Sequence, residues 1–126
     1  MKHASSRFRG VLLTLLLGAC ALLTFHRTVL LSPNSYMAAV GGDGLKNYFS
    51  YAWHVEHDTA TTVFSGMNAP FGEHINYPDA QPLLSSIHRA VDGVWRSSDR
   101  YSVGVVNLLM LLSLPLCALF LYLILQ

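Results

Sequence analysis

The sequence predicts an α-helical integral membrane protein: two transmembrane helices flanking an extracytoplasmic loop that carries two amphipathic interfacial helices. Three observations predict it. Of the 126 residues 52% are apolar and only 12% charged, about half the charged share of an ordinary soluble domain, which is roughly 25%. Two long apolar runs without an acidic residue lie towards the ends of the chain. All seven acidic residues fall between Asp43 and Asp99. The same numbers exclude other classes. A disordered chain would be polar and charge-rich. A net charge of +1, from eight Lys/Arg against seven Asp/Glu, offers no basic excess for phosphate-backbone contacts, so nucleic acid is not an expected partner and the lipid bilayer is.

Residues 1–10 read as a basic cytoplasmic tail holding Lys2, Arg7 and Arg9. Residues 11–31 read as the first transmembrane helix. The uncharged run VLLTLLLGACALLTF is followed by His26 and Arg27 and then by Val29, Leu30 and Leu31. A helix over 11–31 rises about 31 Å, against a hydrocarbon core of about 30 Å, so His26 and Arg27 belong near the far interface with their polar ends snorkelling outward. A cleaved signal peptide is the rival reading, since basic residues precede an apolar stretch and Leu17-Gly18-Ala19-Cys20 resembles a bacterial lipobox. Against it, Ala21 to Phe25 continue the apolar run where a lipoprotein needs a polar tether. Residues 103–125 carry no charge and read as the second transmembrane helix, with Asn107 and Pro115 inside it. The proline predicts a kink that neighbouring contacts in a membrane tolerate. The basic tail places the N-terminus in the cytoplasm, with residues 32–102 outside. Gln126 follows the second run without a basic anchor, which reads as the end of a fragment of a larger polytopic protein. Cys20 and Cys117 both lie in the apolar runs, so no disulfide is expected in the loop.

The loop opens on Ser32-Pro33-Asn34-Ser35, a turn cluster that stops the first helix. Leu45, Tyr48, Phe49, Ala52 and Trp53 recur at helical spacing and predict an amphipathic helix over about 44–57. Residues 59–80, rich in Gly, Pro and Asn, read as an irregular ordered loop. Gln81-Pro82 starts a second helix over about 82–97, with an apolar face of Leu83, Leu84, Ile87, Ala90, Val91, Val94 and Trp95. Two such helices suit the membrane–water interface, where they form a shelf over a membrane-embedded cavity.

Candidate chemistry sits in this loop. Asp43 lies within Gly41-Gly42-Asp43-Gly44. It reads as a helix N-cap, which the spacing favours, or as a general base or metal ligand just outside the first span. Both roles coexist only if one carboxylate oxygen stays free. His54, His57 and Asp58 fall at i, i+3 and i+4, so on a helix they would share one face and could hold a divalent metal such as Mg or Mn. The bland reading of the same three is the polar end of an amphipathic helix. Glu73 and His74 are further candidates for that site. Asp79, after Pro78, reads as a turn residue or capping acid and less readily as a catalytic one. Arg89, Arg96 and Arg100 are candidates for lipid phosphate at the surface. Asn107, polar within a span, is expected to hydrogen-bond a neighbouring helix. Nucleophile elbow, P-loop and dinucleotide fingerprint are all missing from the sequence.

The order of basic tail, first span, GGDGLKNYFSYAWH, PFGEHINYPDAQPL and second span resembles the N-terminal part of bacterial polytopic membrane glycosyltransferases of the GT-C superfamily, over roughly residues 7–126. Pro70, Gly72, Tyr77, Asp79, Pro82 and Leu83 carry the second part of the likeness. The resemblance implies an enzyme of the inner membrane that uses a polyprenyl-phosphate sugar. It also implies that an acid soon after the first span, here Asp43, acts as catalytic base or helps to hold a divalent metal. Such relatives often carry a second acid beside the first; here Gly44 and Leu45 follow Asp43. The alternative expectation is a non-enzymatic multi-pass membrane protein, a transporter or assembly subunit, whose loop binds a partner.

Overall fold

The structure is a computed structural model that describes residues 2–95 and 97–125. Most of the chain is helical. Helix α1 covers Lys2–Phe25, α2 Arg27–Leu31, α3 Asp43–Glu56, α4 Pro82–Val94 and α5 Ser102–Ile124. A 3₁₀ turn, Asp99–Tyr101, leads into α5. The remaining regular structure is a two-stranded antiparallel hairpin, β1 (Val63–Phe64) paired with β2 (Glu73–His74).

Two segments, Arg7–Phe25 and Asp99–Ile124, are long and apolar enough to cross a membrane, with mean hydropathy 2.0 and 2.3. Their leucines point outward: Leu13, Leu17, Leu112 and Leu121 are all more than half exposed. The two helices pack antiparallel, Gly10 of α1 against Tyr122 of α5 and Gly18 against Pro115. At Gly18 a Cβ would stand 2.8 Å from the Pro115 Cβ, so the absence of a side chain sets how closely the helices approach. Helix α5 is continuous across Pro115.

The first apolar segment does not form one helix over 11–31. Helix α1 begins in the tail, where nothing before Gly10 breaks a helix. It stops at Phe25, and His26, at φ −122° and ψ 20°, bends the chain before α2. The break falls where the first polar residues interrupt the apolar run. Pro33, which cannot donate an amide hydrogen, then closes α2 in a turn tied by Ser35 N–H to Ser32 O at 3.0 Å.

The loop folds back on α5 through one residue. Asn107 is fully buried. Its Nδ2 donates to Pro33 O (2.6 Å) and Tyr36 O (2.5 Å), and its Oδ1 accepts from Ala38 N–H (3.1 Å) and the Tyr48 hydroxyl. Beside it, Asn34 Oδ1 accepts from Gly104 N–H at 2.6 Å, satisfying a first-turn donor of α5 that has no partner within the helix. Tyr48, Tyr51 and Val55 of α3 and Val106 of α5 form the core where these helices meet, and α4 packs on α3.

Candidate functional site

Three arrangements in the loop bear on chemistry. The first is the turn before α3. Asp43 is the first residue of α3, and Gly42, at φ +54°, occupies the cap position without a side-chain cap bond. The capping role expected of Asp43 is therefore not realised. Its exposed carboxylate takes part in no hydrogen bond or ion pair among the described residues. The glycines around it have separate causes. Gly42 holds a left-handed backbone that L side chains rarely adopt. At Gly44 a Cβ would press on the Ala39 carbonyl oxygen at 2.5 Å. Around Gly41 and Gly42 the space is open, a Cβ there meeting nothing within 4 Å.

The second is a buried polar cluster at the end of α3. His54 and Asp58 side chains are 0% and 2% exposed, and their Nδ1 and Oδ2 lie 2.8 Å apart. Arg89 Nη1 stands 3.3 Å from His54 Nε2. A guanidinium only donates, so Nε2 accepts, and Nδ1 carries the proton donated to Asp58; the tautomer follows from these partners. The second Asp58 oxygen accepts from Ser65 N–H at 3.0 Å and from the Ser65 hydroxyl. Arg89 also donates to Thr59 O and Ala60 O, both at 2.8 Å. The cluster thus ties the end of α3, the loop after it and α4 together. His57 is not part of it: its ring stacks on Trp53, centroids 4.2 Å apart and planes at 14°. Asp58 lies beyond the end of α3, so the three residues do not share one helical face. Among the described residues no group of three His, Cys, Asp or Glu side chains is placed to hold a metal ion.

The third is a groove of about 490 Å³ between α3, α4 and α5. Its inner wall holds a pair that the sequence reading missed. The Tyr51 hydroxyl lies 3.3 Å from His88 Nδ1, and His88 Nε2 donates to Ser98 O at 2.9 Å. With Nε2 carrying the hydrogen, Nδ1 accepts from Tyr51. Burial pushes the Tyr51 phenol up to about 12, so it remains a neutral donor. The signal in the sequence was a lone histidine on the apolar face of α4, one turn after Leu84.

The other candidates have ordinary structural partners. Asp79, at φ +57°, is a turn residue paired with Lys46 at 3.2 Å and lies before the α4 cap position, which Gln81 holds. Glu73 accepts from Asn68 Nδ2 at 2.9 Å, and exposed His74 lies next to it in β2. Arg89 is turned onto the loop as described. Arg100 is exposed, its guanidinium 4.9 Å from the centre of the Tyr101 ring. Arg96 lies outside the described residues. Asp92, not singled out by its sequence context, accepts from Asp99 N–H (3.0 Å) and the Ser98 hydroxyl (2.9 Å), and these donors hold its carboxyl below the usual range. No family model, curated protein or solved structure matches the chain.

Proposed function

We propose that the chain is a membrane-embedded unit of a GT-C-type glycosyltransferase, with its N-terminus in the cytoplasm and the segment 32–102 on the outer face of the bacterial inner membrane. The observation that carries this reading is the Asp43 carboxylate. It stands free at the head of α3, on an open glycine turn that follows the first apolar helix pair. Among the described residues neither oxygen has a partner, which leaves the carboxylate available as a general base requires. In the reaction an acceptor hydroxyl gives its proton to Asp43 as its oxygen bonds to the anomeric carbon. The bond from that carbon to the lipid phosphate oxygen breaks, and the polyprenyl phosphate leaves with the electron pair, so the configuration inverts. Exposed Arg100, its guanidinium over the Tyr101 ring, supports contact with a lipid phosphate at the surface.

The test is Asp43→Asn in the full membrane protein, assayed for transfer from polyprenyl-phosphate sugars. Loss of the base should lower transfer by about 100-fold or more, with membrane insertion unchanged. Unaltered transfer would remove Asp43 from the mechanism. A second reading, a non-enzymatic protein whose loop docks a partner, draws on the exposed apolar row of α4, in which Leu83 is 73% and Val94 90% exposed. Under that reading Val94→Asp should abolish assembly and Asp43→Asn should be silent.

A further inference from the structure

The groove between α3, α4 and α5 differs from a head-group site in one respect: the polar groups of its buried wall are already satisfied. Tyr51 donates to His88, His88 donates to Ser98 O, and Asn34 accepts from Gly104 N–H. Tyr51 is 0% and His88 8% exposed, so the wall presents their ring carbons rather than open donors or acceptors. Leu84 and Ile87 from α4 and Val105 and Leu108 from α5 supply the rest of the surface. No acidic or basic side chain other than His88, whose two nitrogens are both engaged, lines it among the described residues. A ligand bound by its charge would find no complement in this wall, whereas an aliphatic chain packed on it would leave none of its buried polar atoms unpaired.

The location argues for the same occupant. One wall is the first two turns of α5, within the segment apolar enough to cross a membrane. Hydrocarbon in the bilayer therefore meets the groove without crossing water. The volume lies within the range of small-ligand sites, roughly 300–1,000 Å³.

We propose that this groove holds one acyl chain of a bilayer lipid beneath α4, selected by its hydrocarbon and not by its head group. The proposal rests on the membrane assignment but not on glycosyl transfer. It is tested with the full chain in lipid nanodiscs containing phospholipids with a diazirine in the acyl chain, one set with a choline head and one with a glycerol head. Cross-linked positions are read by peptide mass spectrometry. Outward Leu16 and Leu17 of α1 serve as the reference for ordinary bilayer contact.

Label at Leu84 and Leu108 should exceed that reference several-fold and be equal for both heads. Ile87→Trp, which fills the groove from a half-exposed position without touching a hydrogen bond, should return it to the reference level while α1 labelling is unchanged. Three outcomes would overturn the proposal: groove label no greater than on α1, label confined to the anionic glycerol head, or no response to Ile87→Trp. Absence of label on α1 as well would overturn the membrane assignment itself, so the two failures are distinguishable.

Discussion

At the scale of single residues, Asn107 does the most to fix how the loop meets α5. Its amide serves two carbonyls, one backbone amide and one phenol, all on segments far from it in sequence. Asn107→Ala would leave Ala38 N–H and Tyr48 Oη without this acceptor and two carbonyls without their donor. The expected cost is about 2–4 kcal/mol, seen as a lower midpoint of thermal unfolding in detergent. Tyr51 predicts a response at the alkaline end. Burial raises its folded pKa to about 12, above the ordinary phenol value of 10.0, so the unfolded chain loses this proton first. The contribution is complete below pH 10 and is lost as pH rises through about 12. Stability should fall over that window, and Tyr51→Phe should flatten the fall. A pH-independent difference between the two proteins would contradict the assignment. The Asp43 turn was legible in the sequence because its glycines mark it. The cap reading failed because Gly42, not Asp43, takes the left-handed position. The Tyr51–His88 and Asp58–Ser65 contacts were not legible, since pairing across separate elements leaves no spacing to read.

Among the elements, α3 and α4 were readable from apolar periodicity to within a few residues, with observed bounds Asp43–Glu56 and Pro82–Val94 against expectations of 44–57 and 82–97. Helix α4 ends early because the chain leaves helical geometry at Trp95, ψ 85°. The hairpin of β1 and β2 has only two residues per strand, too few for alternation to show. The bend at His26 was read as snorkelling within one helix, because composition reports apolar length and not backbone angles. Packing between α1 and α5 yields a prediction of its own. Gly18→Leu must force the helices apart at Pro115 and should destabilise the pair by about 1–3 kcal/mol. Ala19→Leu, on the exposed face, should have little effect. Thermal unfolding of both variants in detergent checks the contrast, and equal midpoints would refute the close approach.

For the whole molecule, two apolar helices side by side and a loop anchored to the second of them form one arrangement. The two long apolar helices were legible because uncharged runs of the length a bilayer requires stand out in composition alone. The proposed orientation rests on Arg7 and Arg9 before the first apolar helix, and the proposed chemistry depends on it, since Asp43 must face the side where acceptors are found. Accessibility to a membrane-impermeant maleimide in right-side-out vesicles tests span and orientation together. Phe71, 89% exposed at the far end of the loop, is replaced by cysteine while Cys20 and Cys117 remain in the two apolar helices. The account predicts that Phe71→Cys is labelled in sealed vesicles and that Cys20 and Cys117 stay unreactive, because a water-soluble reagent does not enter hydrocarbon. Labelling of Phe71→Cys only after the vesicles are broken, or reaction of Cys20 and Cys117 from water, would contradict it.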